Sequence, residues 1–264
     1  MKIQQIRSAT IIIDYADKKF LVDPMFAPKD FYPPIPECFT PDLKWPLVDL
    51  PMSTETILEN IDAVIMTHYH IDHFDEFAIK ALPKDIKMFA QDEYDKNVLS
   101  DFGFNNIEII KEEGTVFGNV TMYKTNCIHG IKETTMPYFD MLNIRHEAMG
   151  VVFKNKDEKT LYLAGDTIWC DFVKNAIEKY RPSVIIVNAA KAQLLKSGPI
   201  IMGTEDIEKV HECAPKAKII SSHMDTVGHA TLNRKQLKDF VEKNNLSEAV
   251  LIPEDGDIIS FDKE

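Results

Sequence analysis

The sequence predicts a mixed α and β protein, one domain of two similar halves at about residues 1–148 and 149–264. Three observations point there. Short apolar, partly β-branched runs such as Ala63-Val64-Ile65-Met66 and Val184-Ile185-Ile186-Val187 read as buried strands. Stretches bounded by helix start and stop residues alternate with them. Histidines and aspartates gather where several of those runs end, the place where a rigid scaffold presents functional loops. A chain of 264 residues with 45% hydrophobic content suits one large globular domain.

Residues 3–8, 10–15 and 19–22 are predicted to form a strand meander ending at the Asp23-Pro24 turn. Residues 24–52 then break the pattern. Pro24, Pro28, Pro33, Pro34, Pro36, Pro41, Pro46 and Pro51 fall here, among fourteen prolines in all, interleaved with Phe26, Phe31, Tyr32, Phe39 and Trp45. Proline this dense excludes a helix or a central strand, and the aromatics argue against disorder. The stretch is expected to be either a lid, with Tyr32 and Trp45 facing substrate, or a belt packed away from any site.

Ser53 is placed to cap a helix over 54–60, followed by a strand over 62–67 and a helix over 74–82 that stops before Pro83. A strand at 86–90, a helix at 92–102 closed by Gly103, and strands at 107–110 and 115–124 come next. Residues 131–148 lack periodicity and read as a second loop over the site, marked by Met136-Pro137-Tyr138-Phe139. The second half is expected to hold strands at 149–155 and 159–164, a helix at 169–180, a strand at 184–187 and a loop at 188–203. Thr204 should cap a helix to Cys213, and a strand covers 218–222. Asn233 with Gln236 has capping-box spacing for the last helix, and strands at 249–252 and 257–261 finish the chain.

Composition narrows the function. No apolar run reaches the ~18 residues of a membrane span. The opening residues Met1 to Ser8 alternate like a strand and carry no signal-peptide core. Cys38, Cys127, Cys170 and Cys213 lie far apart without C-x-x-C spacing, so they read as reduced thiols in a cytoplasmic protein. A net charge of −12 disfavours a nucleic-acid partner and leaves a small molecule as the expected one. Assembly into a homo-oligomer stays open.

The chemistry is concentrated in His68-Tyr69-His70-Ile71-Asp72-His73. Imidazole is the commonest metal ligand, and a neighbouring carboxylate suits a divalent ion. Helical neighbours on one face stand three and four apart, whereas His68, His70 and His73 are two and three apart, so a strand-to-helix loop must present them. A merely solvated loop would not gather three of the eight histidines into six positions. Taken alone, His129 before Gly130 reads as structural, and Asp166 in Ala164-Gly165-Asp166-Thr167 could simply bond its own turn.

The H-x-H-x-D-H pattern after an apolar strand resembles the metallo-β-lactamase superfamily. Cys127-Ile128-His129-Gly130, Ala164-Gly165-Asp166-Thr167 and Ser222-His223-Met224-Asp225 follow in that superfamily's order, and the likeness is strongest to the branch that includes L-ascorbate-6-phosphate lactonase. The resemblance implies a four-layer αββα sandwich with two mixed β-sheets. It implies a first ion on His68, His70 and His129, a second on Asp72, His73 and His223, and Asp166 bridging them. His229 would then act beside the metals or on substrate, the alternative being that it replaces His223 as ligand. Zinc fits five imidazoles and two carboxylates, and manganese is the alternative. Two ions lower the pKa of a shared water to about 7, so the implied activity is hydrolysis of a small ester, lactone or phosphorylated metabolite. Asp72 and Asp166 would orient the nucleophile. Nuclease activity and iron-dependent oxidation are the competing readings; the acidic charge speaks against the first, and His70, where the diiron group generally has Glu, against the second. Lys191 and Arg145 lie in loops expected above the metals and could hold a substrate anion, or could simply be solvated.

Overall fold

In a computed structural model, residues 1–141 and 143–263 are described. The chain opens with β1 (Lys2–Arg7), β2 (Thr10–Tyr15) and β3 (Lys18–Val22), then α1 (Thr54–Ile57), β4 (Ala63–Ile65), α2 (Glu76–Ala81) and β5 (Lys87–Ala90). It continues through α3 (Glu93–Asp101), β6 (Ile107–Ile109), β7 (Thr115–Phe117), β8 (Val120–Asn126), α4 (Thr135–Met141), β9 (Met149–Asn155), β10 (Glu158–Leu163) and α5 (Asp171–Tyr180). Last come β11 (Val184–Asn188), β12 (Gln193–Leu194), β13 (Gly198–Pro199), α6 (Thr204–Cys213), β14 (Lys218–Ser222), α7 (Arg234–Lys243), β15 (Val250–Leu251) and β16 (Ile258–Ser260).

One sheet runs β16-β1-β2-β3-β4-β5-β6 and the other β15-β14-β11-β10-β9-β8-β7. Both are mixed: β1 to β3 and β7 to β10 pair antiparallel, while β3 to β6 and the β10-β11-β14-β15 run pair parallel. The sheets do not part at residue 148, because β7 and β8 join the second sheet and β16 returns to the first.

Strand alternation explains the layering. Ile11 and Ile13 of β2, Ile65 at the end of β4, and Val184 and Ile186 of β11 meet between the sheets with Phe20, Phe89 and Phe153. On the outer face of the first sheet, Ile12, Val64 and Met88 pack against Ile57, Ala78 and Leu99 from α1, α2 and α3. On the outer face of the second, Ile185, Val187 and Ile219 meet Val173, Val210 and Leu237 from α5, α6 and α7. Central strands buried on both faces read as unbroken apolar runs. The result is the four-layer αββα arrangement.

Several expectations are corrected. The predicted 115–124 strand is a hairpin that turns at Gly118-Asn119. Residues 131–148 contain α4, whose Pro137 sits in the first turn, where its missing N–H has no helical partner to lose. The 188–203 loop holds the β12–β13 hairpin. Gly203, not Thr204, is the N-cap of α6. The predicted helix at 54–60 is a single turn, although Ser53 does cap it. Asn233 and Gln236 form the expected reciprocal cap of α7.

The proline-rich stretch is ordered by polar anchors. Arg7, fully buried, donates to the carbonyls of Met25, Ala27 and Val48 at 3.0, 2.8 and 2.9 Å. Asp75, the cap of α2, accepts from Phe26 and Ala27 N–H at 2.9 and 2.7 Å. Tyr32 and Trp45 exchange backbone hydrogen bonds, and their rings lie 4.6 Å apart. Among the described residues, no helix is long and apolar enough to cross a membrane.

Candidate metal centre

Strand ends converge on one point between the sheets. β4 delivers Thr67 to His73, and Asn126 at the end of β8 leads to His129. Leu163 at the end of β10 leads to Asp166, and Ser222 at the end of β14 to His223. Ligand atoms of His68, His70 and His129 fall within 4.8 Å of one another, as do those of His68, His73 and Asp166, and those of Asp72, His73 and His223. All seven residues implied by the resemblance are thus brought together.

Their contacts are close. His68 Nε2 lies 3.0 Å from His70 Nδ1, and His73 Nε2 lies 3.1 Å from His223 Nε2. The Asp166 Oδ2 atom is 3.2 Å from His73 Nε2, 3.8 Å from His129 Nε2 and 4.0 Å from His68 Nε2, the position of a shared ligand. Asp72 Oδ2 is 3.3 Å from His223 Nε2. The outward nitrogens are each anchored. His70 Nε2 meets the Arg145 carbonyl at 2.7 Å, His129 Nδ1 the Ile200 carbonyl at 2.9 Å and His73 Nδ1 the Asp23 carboxylate at 2.8 Å. His223 Nδ1 faces Ser8 Oγ at 3.3 Å. Asn188 donates to Asp166 Oδ1 at 2.6 Å. Such partners fix ring orientation and tautomer in metal sites.

Electrostatics tell the same story. Burial, helped by neighbouring imidazoles, holds His68 well below its ordinary pKa; it brings His70 to about 4 and lowers His129. Burial opposes ionisation of Asp72 and Asp166, yet the surrounding imidazoles outweigh it and hold both far below the usual carboxylate range. His73 is the counterpart: burial opposes its charge, but Asp166, Asp23 and Asp72 raise its pKa strongly. Without metal, a proton on His73 supplies positive charge among three carboxylates, a place a divalent cation would fill with greater effect. Neutral imidazoles and ionised carboxylates are the donor states metals require. The residues present fit divalent metal binding.

Above the ligands lies a cavity of about 410 Å³. Ile35 and Trp45 of the proline-rich stretch line it, together with Tyr69, Ile71, Tyr94, Phe139, Ile144, Leu194 and Ile200. The wall function expected of 24–52 therefore falls to Trp45 and Ile35, while Tyr32 stacks behind Trp45. His229 also lines the cavity; its Nδ1 is buried without a partner among the described residues, and burial lowers its pKa to about 4. The two proposed anion binders are otherwise engaged. Lys191 pairs with Glu205 at 3.3 Å and lies outside the cavity wall. Arg145 borders the cavity, but its guanidinium is bound to Asp92, Asp95 and Glu147. Sequence reasoning missed Ser8, Asp23, Asn188 and the Arg145 carbonyl. Asp23 was visible only as a turn residue; its link to His73 spans fifty positions and leaves no local pattern.

Gly165 makes the Asp166 turn possible. Its φ is +71°, and a Cβ there would overlap the Met149 carbonyl, which is backbone and cannot swing away. Gly165→Ala is expected to destabilise the fold by about 2–4 kcal/mol and to lower metal loading, measured by urea denaturation and elemental analysis. Wild-type stability in that variant would show that the turn relaxes freely.

A family profile described as "Beta-lactamase superfamily domain" matches residues 18–224. The UPF0173 protein YddR of Bacillus subtilis (strain 168) is 47% identical over 261 residues, covering 99% of this chain and all of that one. An isothiocyanate hydrolase from Delia radicum gut bacteria is 39% identical, with a TM-score of 0.94 and 99% of each chain covered. A possible metal-dependent hydrolase from Veillonella parvula DSM 2008 is 40% identical, with a TM-score of 0.95 and the same coverage. With that profile match and those relatives beside the converging histidines and aspartates, the chain belongs to the beta-lactamase superfamily.

Proposed function

We propose that this protein is a binuclear metal-dependent hydrolase of a small, uncharged electrophile with an apolar substituent, of the isothiocyanate kind. The carrying observation is the cavity wall. It is largely apolar, and its one Lys or Arg among the described residues, Arg145, is already neutralised by acidic neighbours. A metabolite whose phosphate sits in that wall, away from the metals, would lose water there without gaining a free cation as partner. A neutral R–N=C=S group asks for no such partner, and a relative 39% identical along the whole chain is an isothiocyanate hydrolase. Neutral lactones and esters share the electrophilic carbon and are the second candidates.

Two divalent ions, zinc first and manganese second, would supply Lewis acidity and lower the pKa of water. The residues divide the remaining work. His68, His70 and His129 would hold one ion, Asp72, His73 and His223 the other, and Asp166 both. Asn188 fixes the rotation of the Asp166 carboxylate. Trp45, Phe139 and Ile200 exclude bulk water, which strengthens every charge interaction beneath them. His229, which lines the cavity and is kept neutral by burial, would exchange a proton with the heteroatom of the substrate. Four free cysteines suit a reducing compartment, so we place the protein in the cytoplasm.

The test is a substrate panel on metal-reconstituted protein: alkyl and aryl isothiocyanates, neutral lactones, phosphodiesters and phosphorylated sugars. A neutral substrate should exceed its counterpart carrying a phosphate remote from the reacting carbon by at least about 100-fold in kcat/KM, because a buried anion that reaches neither the metals nor a free cation costs several kcal/mol. A phosphorylated sugar as the best substrate would sink the proposal.

A further inference from the structure

His70 turns Nδ1 toward His68, at 3.0 Å, while its Nε2 meets the Arg145 carbonyl at 2.7 Å. The lone pair of Nδ1 is free for a cation only while Nε2 keeps its proton, and the Arg145 carbonyl is the acceptor that retains it there. Where that carbonyl sits depends on the side chain of the same residue. Arg145 Nη2 reaches Asp92 Oδ2 at 2.8 Å, Nη1 reaches Asp92 Oδ1 at 3.2 Å and Asp95 Oδ1 at 3.3 Å, and Nε reaches Glu147 at 2.9 Å. The guanidinium also lies over the Tyr94 ring, 4.4 Å from its centre.

This seat is rigid. Asp92 is the N-cap of α3 and accepts from Asp95 N–H at 3.0 Å. Asp95 is fully buried and takes a second hydrogen bond from Gln91 at 2.8 Å. On the other side of the clamp, Asn143 and Ile144 line the cavity, and Ile144 N–H bonds the Phe139 carbonyl at 2.8 Å. One arginine therefore ties the first turn of α3 to a metal-facing imidazole and to the cover of the cavity.

We infer that Arg145 is a positioning residue: its guanidinium is locked on Asp92 and Asp95 so that its carbonyl orients His70 and its backbone holds the neighbouring cavity residues Asn143 and Ile144 in place. The inference rests on the metal-dependent reading of the site. It replaces the substrate-anion role that the sequence suggested for this residue, and it makes the first ion, not the second, the one that α3 controls.

The test compares wild type, Arg145→Ala, Arg145→Lys and the Asp92→Asn/Asp95→Asn double variant. Zinc affinity of the apoprotein is read by competition with a chromophoric chelator. Removing a group that orients a metal ligand typically weakens the metal about 10–100-fold. One of the two ions should loosen by that factor in Arg145→Ala and in the double variant, with the other unchanged. Arg145→Lys should fall between, because lysine supplies charge without the planar fork. With a neutral substrate, kcat should drop while KM stays nearly constant. Tight binding of both ions with a raised KM would overturn the inference and return Arg145 to substrate binding. Equal loosening of both ions, or lost helicity, would overturn it in favour of a general structural role. Long-range ¹⁵N–¹H spectra read His70 directly: the Nε2–H tautomer in wild type and a mixture in Arg145→Ala. An unchanged tautomer overturns the inference. That readout stands even for a wild-type chain holding no ion, an outcome that would sink the proposed function alone.

Discussion

Asp166→Ala is expected to reduce kcat/KM by about 10³-fold or more and to loosen both ions together. The reason is the position of one oxygen. Asp166 Oδ2 approaches His73, His129 and His68, which together draw on all three candidate ligand groups among the described residues. Its removal takes a negative charge from each ion at once and leaves Asn188 Nδ2 without its acceptor. Elemental analysis after gel filtration should find well under two ions per chain, where wild type approaches two. Asp166→Asn keeps the volume and so separates charge from packing; it should lose metal nearly as severely. Full loading with intact turnover in both variants would remove Asp166 from the centre.

His223 and His229 should behave oppositely. His223 Nε2 stands beside His73 Nε2 and Asp72 Oδ2, whereas His229 contributes no atom to the three candidate ligand groups among the described residues. His223→Ala is expected to lose one ion of the two, with turnover falling alongside. His229→Ala should keep both ions and lose on the order of 10²-fold in kcat, the scale of a lost acid–base group. Metal content and kcat measured on the same preparations decide it. Loss of an ion from His229→Ala, with His223→Ala fully loaded, would show that the wrong histidine was assigned.

These contrasts mark what a sequence can carry. Strands buried on both faces announce themselves, so β4 and β14 and the ligands that follow them were legible. The site was legible because its chemistry sits in short motifs whose residue types have few other uses so close together. Three kinds of feature were not. Pairings across long separations, such as His73 with Asp23 or His223 with Ser8, leave no local signal. Helix α4 hid because it is short, with a proline in its first turn and only Thr135 and Phe139 buried. The fate of a cation also depends on distant acids. Arg145 and Lys191 looked available in sequence, yet Asp92, Asp95 and Glu205 occupy them. That last failure changes the substrate class we propose, because a wall with a free arginine and one with a neutralised arginine favour different ligands.

The way Arg7 grips the proline-rich stretch has a consequence for divergence. The stretch is closed twice, by the guanidinium on Ala27 and Val48 and by the Tyr32–Trp45 bridge. Residues 33–44 are thus a loop whose ends are already held together, and no candidate metal ligand lies within it. Doubling the length of such a loop adds only about 0.6 kcal/mol of closure entropy. Insertions and deletions there can reshape the mouth around Ile35 with little effect on the metal centre. The loop also reaches the site through Thr40, whose hydroxyl donates to the Gly228 carbonyl beside His229, so length changes that keep this contact would alter the mouth and leave the metal ligands in place.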